Sequence, residues 1–417
     1  MVHVAIWSIS ALSIALMLFR PFRIPEFVWT IAGALLLCVF RLIPLKLAGY
    51  AIVEGGDVYL FLTGMMLLSE LARRNGVFDW LANIAVKRAR GSSGRLFALI
   101  YGVGTVVTIF MSNDATAVVL TPAVLSAVKH AKAKPMPYLL ACAMIANAAS
   151  FVLPISNPAN LVVFHSSMPP LRKWLAMFIV PSVISIVATY FLLRWNHRKE
   201  LTAPCSGSDV EIELSSLGRV SLIGILAVAV VLLAASALKM NLGLPTCIAA
   251  IVVACIAQII GRSNPLHLVR EISWSVLPLV AALFVIVEAV KSAGALQMLQ
   301  AAVEQVEKWP RVESASVIAG AVGFGTNFVN NLPLGLIAGA TLRSLPPQPF
   351  MSQVVLIGID LGPNLSITGS LATILWLIAI RREGMHVSGW QFLKAGMLIM
   401  PISLALAIGG ALLIGRH

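Results

Sequence analysis

Asp114 stands inside the run IFMSNDATAVVLTP, Ile109 to Pro122, within a stretch from Leu96 to Val128 that carries no other charged residue. An ionised carboxylate at the centre of a membrane helix costs roughly 2.5–3.5 kcal/mol on insertion scales, and such groups usually face a polar cavity or the bundle interior. With Ser112 and Asn113 beside it, the run offers a carboxylate, an amide and a hydroxyl. That set can coordinate a small polar solute or a cation, and it can carry a proton. The competing reading is two ordinary spans joined by a polar turn, but an exposed connection usually carries more than three polar residues. Asp360 sits in comparable surroundings, ahead of Gly362-Pro363-Asn364 and Thr368-Gly369-Ser370. Ser156, Asn157 and Asn160 lie among Pro154 and Pro158. Each proline removes a backbone donor and clashes with the preceding turn, so a regular helix cannot continue there. The carbonyls and amides freed by unwinding survive at membrane depth only inside protein or along a cavity.

The elements that must position these groups follow from composition. The 417 residues are 59% hydrophobic and 11% charged, with mean hydropathy +0.93. That describes a polytopic all-α membrane protein, not a soluble domain or a barrel of short alternating strands. The first apolar run, Val4 to Phe19, is followed by Arg20 and Arg23 and lacks a preceding basic region, so it reads as a span and not a removed signal peptide. The net charge of +13 comes from basic residues lying between spans, where they are topology signals; nucleic acid is not an expected partner. Five cysteines without CxxC spacing or histidine pairing support neither a zinc site nor a disulfide framework, and no metal or cofactor is expected.

Hydropathy predicts spans at about 4–19, 24–40, 57–72, 137–165, 174–193, 218–236, 243–261, 273–290, 351–380 and 390–413. An amphipathic helix near 77–88 and half-length arms near 94–111 and 114–128 follow the third span. The same order returns after the eighth, near 295–306, 313–328 and 331–343. The polar segment Asn196 to Leu217, with Gly207, Asp209 and Glu211, divides the chain into 1–195, a cytoplasmic linker at 196–217, and 218–417.

The halves align with each other. Glu70, Arg73 and Gly76 match Glu288, Lys291 and Gly294; Asn113-Asp114 matches Asn330-Asn331; Asn147 matches Asp360; and Asn157 and Asn160 match Ser370 and Thr373, at separations drifting only from 218 to 213. With the N-terminus outside, most of the 30 Lys and Arg residues fall in inside segments. Five crossings per half is an odd number, so the repeats are inverted. Inverted repeats with interrupted helices are a secondary-transporter architecture with its site near the midplane.

The runs SNDATAVVLTP, ANAASFVLPISNPANLVVF and IDLGPNLSITGSLATILW resemble signature segments of the arsenical pump membrane proteins, which export arsenite and antimonite and belong to a superfamily with citrate, dicarboxylate and sodium/proton carriers. The resemblance implies a re-entrant hairpin and a broken helix in each half. It implies a substrate or ion site at Asn113, Asp114, Ser156, Asn157, Asn160, Asn330, Asn331, Asp360, Ser370 and Thr373. Two positions depart from it: better-known arsenite pumps carry an acid where this chain has Asn147 and a lysine where it has Asn364.

Arsenite at neutral pH is a neutral trihydroxide, which Asn, Ser and Thr groups can hold without cationic side chains. Citrate or a dicarboxylate would need charge compensation, and the central region offers no Lys or Arg. The resulting expectation is an inner-membrane, proton-coupled exporter of arsenite or antimonite, with Asp360 and Asp114 as the proton-coupling groups. The rival readings are a sodium/proton antiporter, a sodium-coupled citrate or dicarboxylate carrier, and the membrane subunit of an ATP-driven pump with a separate cytoplasmic ATPase. The chain has no phosphate-binding GxxxxGK[ST] loop of its own.

Overall fold

The computed structural model describes residues 2–206, 213–262 and 264–414 and is all-helical across them. In the first half the order is α1 (Val2–Phe19), α2 (Glu26–Val39), α3 (Leu45–Glu54), α4 (Gly56–Arg74), α5 (Val77–Ala89), α6 (Ser93–Phe110), a π-helical turn at Ala115–Leu120 running into α7 (Thr121–His130), α8 (Met136–Ala148), α9 (Pro158–Phe164), α10 (Leu171–Asn196) and the short α11 (Arg198–Leu201). The second half repeats it: α12 (Ser216–Ala237), α13 (Gly243–Gly261), α14 (Pro265–Glu271), α15 (Val276–Val290), α16 (Leu296–Glu307), α17 (Arg311–Val329), α18 (Asn331–Ser344), α19 (Pro349–Leu361), α20 (Leu371–Arg382) and α21 (Gly389–Ile414).

Among the described residues eight helices are long and apolar enough to cross a membrane, or nine if α3 and α4, bent by 44° at Gly55, form one span. The spans expected at 137–165 and 351–380 are each split in two, as the prolines require. The span expected at 24–40 is a helix of 14 residues. The first hairpin arms are longer than half-length: α6 has 18 residues and α17 has 19, because no proline or charged residue stops either before its polar tip. Of the linker, Gly207, Asp209 and Glu211 lie outside the described residues. Its described start is docked at the base of the first hairpin, where Cys205 N–H donates to Gly91 O (2.9 Å) and Ser206 N–H to Ala131 O (2.7 Å).

The halves interlock. Helix α4 packs along α13, and α15 packs along α2 and α3, so each third span rests on the other half's second. Helices α10 and α21, both of 26 residues and both with an internal proline (Pro181 and Pro401), run against each other. Exposed apolar side chains such as Phe191 on α10, Ile223 and Val230 on α12, Ile259 on α13 and Leu413 on α21 cover the outer helices. That is the surface lipid requires. At the centre, α9 and nearly all of α8 are buried, and Trp376 of α20 donates its indole N–H to Leu139 O of α8 at 3.1 Å. Small residues permit the closest approaches: a Cβ on Gly362 would meet Gly323 O at 2.3 Å.

Candidate functional site

Both breaks fold the same way locally. After α8 the chain leaves the helix at Ala149, makes a short 3-10 turn at Pro154–Ser156, and restarts at α9, whose N-cap is Asn157 accepting from Ala159 N–H at 3.0 Å. After α19 it makes 3-10 turns at Gly362–Asn364 and Ile367–Gly369, then restarts at α20, capped by Ser370 accepting from Ala372 N–H at 3.0 Å. A polar side chain at the cap satisfies one of the amides that each helix start leaves without an intrahelical partner.

The hairpin tips meet these helix starts. In the first, Ser112 Oγ accepts from Ala115 N–H at 3.2 Å. In the second, Asn330 adopts φ 77° and caps α18 by accepting from Leu332 N–H at 3.3 Å. Asn113, Asp114, Asn157, Asn331 and Ser370 line one narrow chamber of about 10 Å³, room for a single water-sized particle. Four helix starts surround it, and no basic residue is in its lining. Asn113 Oδ1 and Asn331 Oδ1 are buried without a hydrogen-bond partner among the described residues.

The other expected site residues stand behind this lining. Asp360 is buried and accepts from Asn157 Nδ2 at 2.8 Å through Oδ1, and the Ser150 hydroxyl also interacts with its carboxylate. Among the described residues no Lys or Arg forms an ion pair with Asp360 or Asp114. Ser156 donates to Ile109 O at 2.9 Å, tying the first break to its hairpin arm. Asn160 donates to three carbonyls of the break, those of Ser150, Leu153 and Pro154, at 2.9, 3.2 and 3.3 Å. Asn330 also donates to Thr368 O at 3.1 Å, and Thr373 to Ser370 O at 2.9 Å.

Asn147 and Asn364, the two departures from the arsenite-pump pattern, are partners: Asn147 Nδ2 donates to Asn364 Oδ1 at 2.9 Å, and Asn364 Nδ2 donates to Met144 O at 3.1 Å. Asn327 was not anticipated. Its amide donates to Gly362 O at 3.1 Å, its Oδ1 accepts from Ser366 at 2.7 Å, and its backbone carbonyl accepts from Thr368 Oγ1 at 2.9 Å. Its signal in the sequence is an amide in the last turn of α17, three residues before the Asn330 tip.

A vestibule of about 90 Å³ shares Asp114, Leu62, Pro158 and Val276 with the chamber and runs past Met65, Met66 and Ser69 to Glu70 and Glu271. At its mouth Arg73 Nη2 lies 2.6 Å from both Glu70 and Glu271, joining α4 to α14. In the other half Glu288 and Lys291 form the corresponding pair at 2.5 Å. Glu271 carried no sequence signal, because its partner lies 198 residues away.

A two-fold repeated helical bundle whose broken helices and hairpin tips converge on one polar chamber is the architecture of a multi-pass membrane transporter. The family model described as "Citrate transporter" (CitMHS) matches residues 7–359, and the chain belongs to that family. The match stops one residue short of Asp360. The chain is 22% identical to the arsenical pump membrane protein of Yersinia enterocolitica over 351 residues, 81% of this chain and 82% of that one. It is 23% identical to the arsenical pump membrane protein of Escherichia coli K12 over 354 residues, again 81% and 82%. The crystal structure of the Alcanivorax borkumensis YdaH transporter, described as having an unusual topology, superposes with TM-score 0.54 at 14% identity, covering 88% of this chain and 86% of that one. That likeness concerns the fold.

Proposed function

We propose that the chain is an inner-membrane exporter of trivalent metalloid hydroxides, arsenite or antimonite, driven by protons, with residues 1–195 and 218–417 as inverted repeats. The observation that carries this reading is the lining of the chamber. Amides, a hydroxyl and one carboxylate face a space without Lys or Arg, which suits a neutral polyhydroxide and leaves a polyanion without a side-chain counter-charge. A trihydroxide of arsenic is larger than the chamber, so loading requires the hairpin tips to part from the broken helices. The acid-lined vestibule supplies the inside approach.

Asn157 links this chamber to Asp360. Its amide N–H is held by the buried carboxylate while its Oδ1 caps α9 at the chamber wall. Protonation of Asp360 weakens the acceptor for Asn157, which alters the chamber wall; substrate in the chamber biases the same contact in return. Intramembrane carboxylates serve as proton relays in this way.

A second reading, a citrate-type carrier, draws on the family description and on the four helix starts, whose dipoles favour negative charge. Everted vesicles with an imposed pH gradient separate the two, with arsenite, antimonite and citrate as substrates. The expected result is arsenite accumulation that collapses with the gradient, and none of citrate. Asp360→Asn should lose gradient-driven accumulation yet keep arsenite exchange. Citrate uptake without arsenite uptake, or full proton-driven transport by Asp360→Asn, would sink the corresponding half of the proposal.

A further inference from the structure

On the opposite face from the vestibule a second pocket, of about 280 Å³, opens at the seam between the halves. One wall comes from the end of α9 and the start of α10, with Ser167 and Lys173; the other comes from the end of α18 and the turn into α19, with Arg343 and Gln348. We propose that this pocket binds a phosphate-type anion.

The charges are the first reason. Arg343 is an exposed residue whose guanidinium donates through Nη1 to Val163 O at 3.2 Å. Neither Arg343 nor Lys173 has an ion pair among the described residues. The closeness of Arg343 to α9 depends on Gly339, where a Cβ would meet Val163 O at 2.6 Å and Arg343 Nη1 at 3.1 Å. No carboxylate is in the lining. The nearest acids stand outside the lining and each has another partner: Glu54, which also acts on Arg343, faces His165 at 3.7 Å, and Glu307 accepts from the lining residue Gln348 through Nε2 at 2.7 Å. Two cations facing one space whose lining holds no carboxylate favour an anion, and guanidinium and ammonium groups are the side chains that hold phosphate oxygens.

Position is the second reason. The charge pattern puts this face outside, where Lys and Arg are depleted in a protein of this kind. Lys173 and Arg343 nevertheless meet here. Prolines Pro169, Pro347 and Pro349 line the pocket, and their fixed φ stiffens the connections that carry the cations. Because Lys173 belongs to the first half and Arg343 to the second, an occupant bridges the seam and resists its opening. Phosphate chemistry reaches this face either as an anionic phospholipid headgroup or as free phosphate, and the apolar wall of Phe164, Met177 and Leu342 gives the lipid's glycerol a surface to rest on.

The test uses the full chain in uncharged detergent, with thermal unfolding and native mass spectrometry as readouts. Phosphatidylglycerol, phosphatidylcholine and inorganic phosphate serve as probes. The expected result is a rise in the unfolding midpoint with an anionic probe and not with phosphatidylcholine. Lys173→Gln, at an exposed position that leaves the fold intact, should weaken the apparent affinity about five-fold. Arg343→Gln should weaken it further, while Lys134→Gln on the inside face leaves it unchanged. A response to phosphatidylglycerol alone assigns the headgroup; a response to inorganic phosphate assigns the free anion. Equal affinity in wild type and Lys173→Gln, or no preference for either anion over phosphatidylcholine, would overturn the proposal.

Discussion

The two breaks occupy equivalent places in the repeat and are held in different ways. In the first, Asn160 sits three residues after the cap of α9 and turns its amide back onto three carbonyls of its own loop. In the second, the equivalent residue three positions after the cap of α20 is Thr373, whose shorter side chain reaches only Ser370 O. The reaching-back is done instead from the hairpin, by Asn327 to Gly362 O and by Asn330 to Thr368 O. Unwound backbone at membrane depth must find partners inside the protein, and the halves satisfy that demand from different directions. Break one is clamped from within, although Ser156 still fastens it to α6. Break two is stitched to its hairpin through several side chains, so α17 and the second broken helix are built to move as one body.

The largest effect should come from removing the inner clamp. Asn160→Ala leaves three buried carbonyls short of a donor. Each orphaned group costs about 1–3 kcal/mol, summing to less than the total because the loop relaxes and Leu153 O keeps the Ser156 N–H. A loss of roughly 2–4 kcal/mol is expected, seen as reduced abundance and a lower unfolding midpoint in detergent. A variant with wild-type midpoint and abundance would show that the clamp is dispensable.

Asn327→Ala should fall in between on stability and stand out on transport. It removes one donor from Gly362 O, which retains Leu365 N–H, and Ser366 and Thr368 are half-exposed, so water can replace part of the network. About 1 kcal/mol is expected. The hairpin, however, would no longer be fastened to the break, so transport should drop several-fold at near-normal abundance. Transport unchanged in this variant would mean that the second hairpin and broken helix are not one moving unit.

Much of this arrangement was legible beforehand, for particular reasons. Pro154, Pro158 and Pro363 forbid continuous helix whatever surrounds them, so both breaks could be read from local chemistry. The pairing of halves followed from Glu70 with Glu288 and Asn113 with Asn330, because an acid, a base and a glycine at fixed spacing survive in the chain as pattern. What could not be read was where side chains point. Asn113 and Asn330 align, yet it is Asn331 that lines the chamber with Asn113 while Asn330 turns to cap α18 and hold Thr368. The Asn147–Asn364 pair and the Arg73–Glu271 pair join residues 217 and 198 apart, and nothing local announces a partner at such separation. Helix α3 was missed because its ten residues are too short for a span and carry Lys46 and Gly49.

The smallest effect should be at Thr373, which makes it the sharpest check on the comparison. Its hydroxyl donates to Ser370 O, but that carbonyl already accepts from Ile374 N–H at 3.2 Å within α20. Thr373→Val keeps the β-branched shape and buries a methyl group where the hydroxyl was, leaving Ser370 O with its backbone donor. The expected change is about 0.5 kcal/mol in stability, with transport close to wild type, since Thr373 is not among the residues lining the chamber. Parallel measurement of Asn160→Ala and Thr373→Val decides whether equivalent positions have diverged in role. A collapse of transport in Thr373→Val at normal abundance would place its hydroxyl on the substrate path, and the second break would then depend on its own helix as the first does.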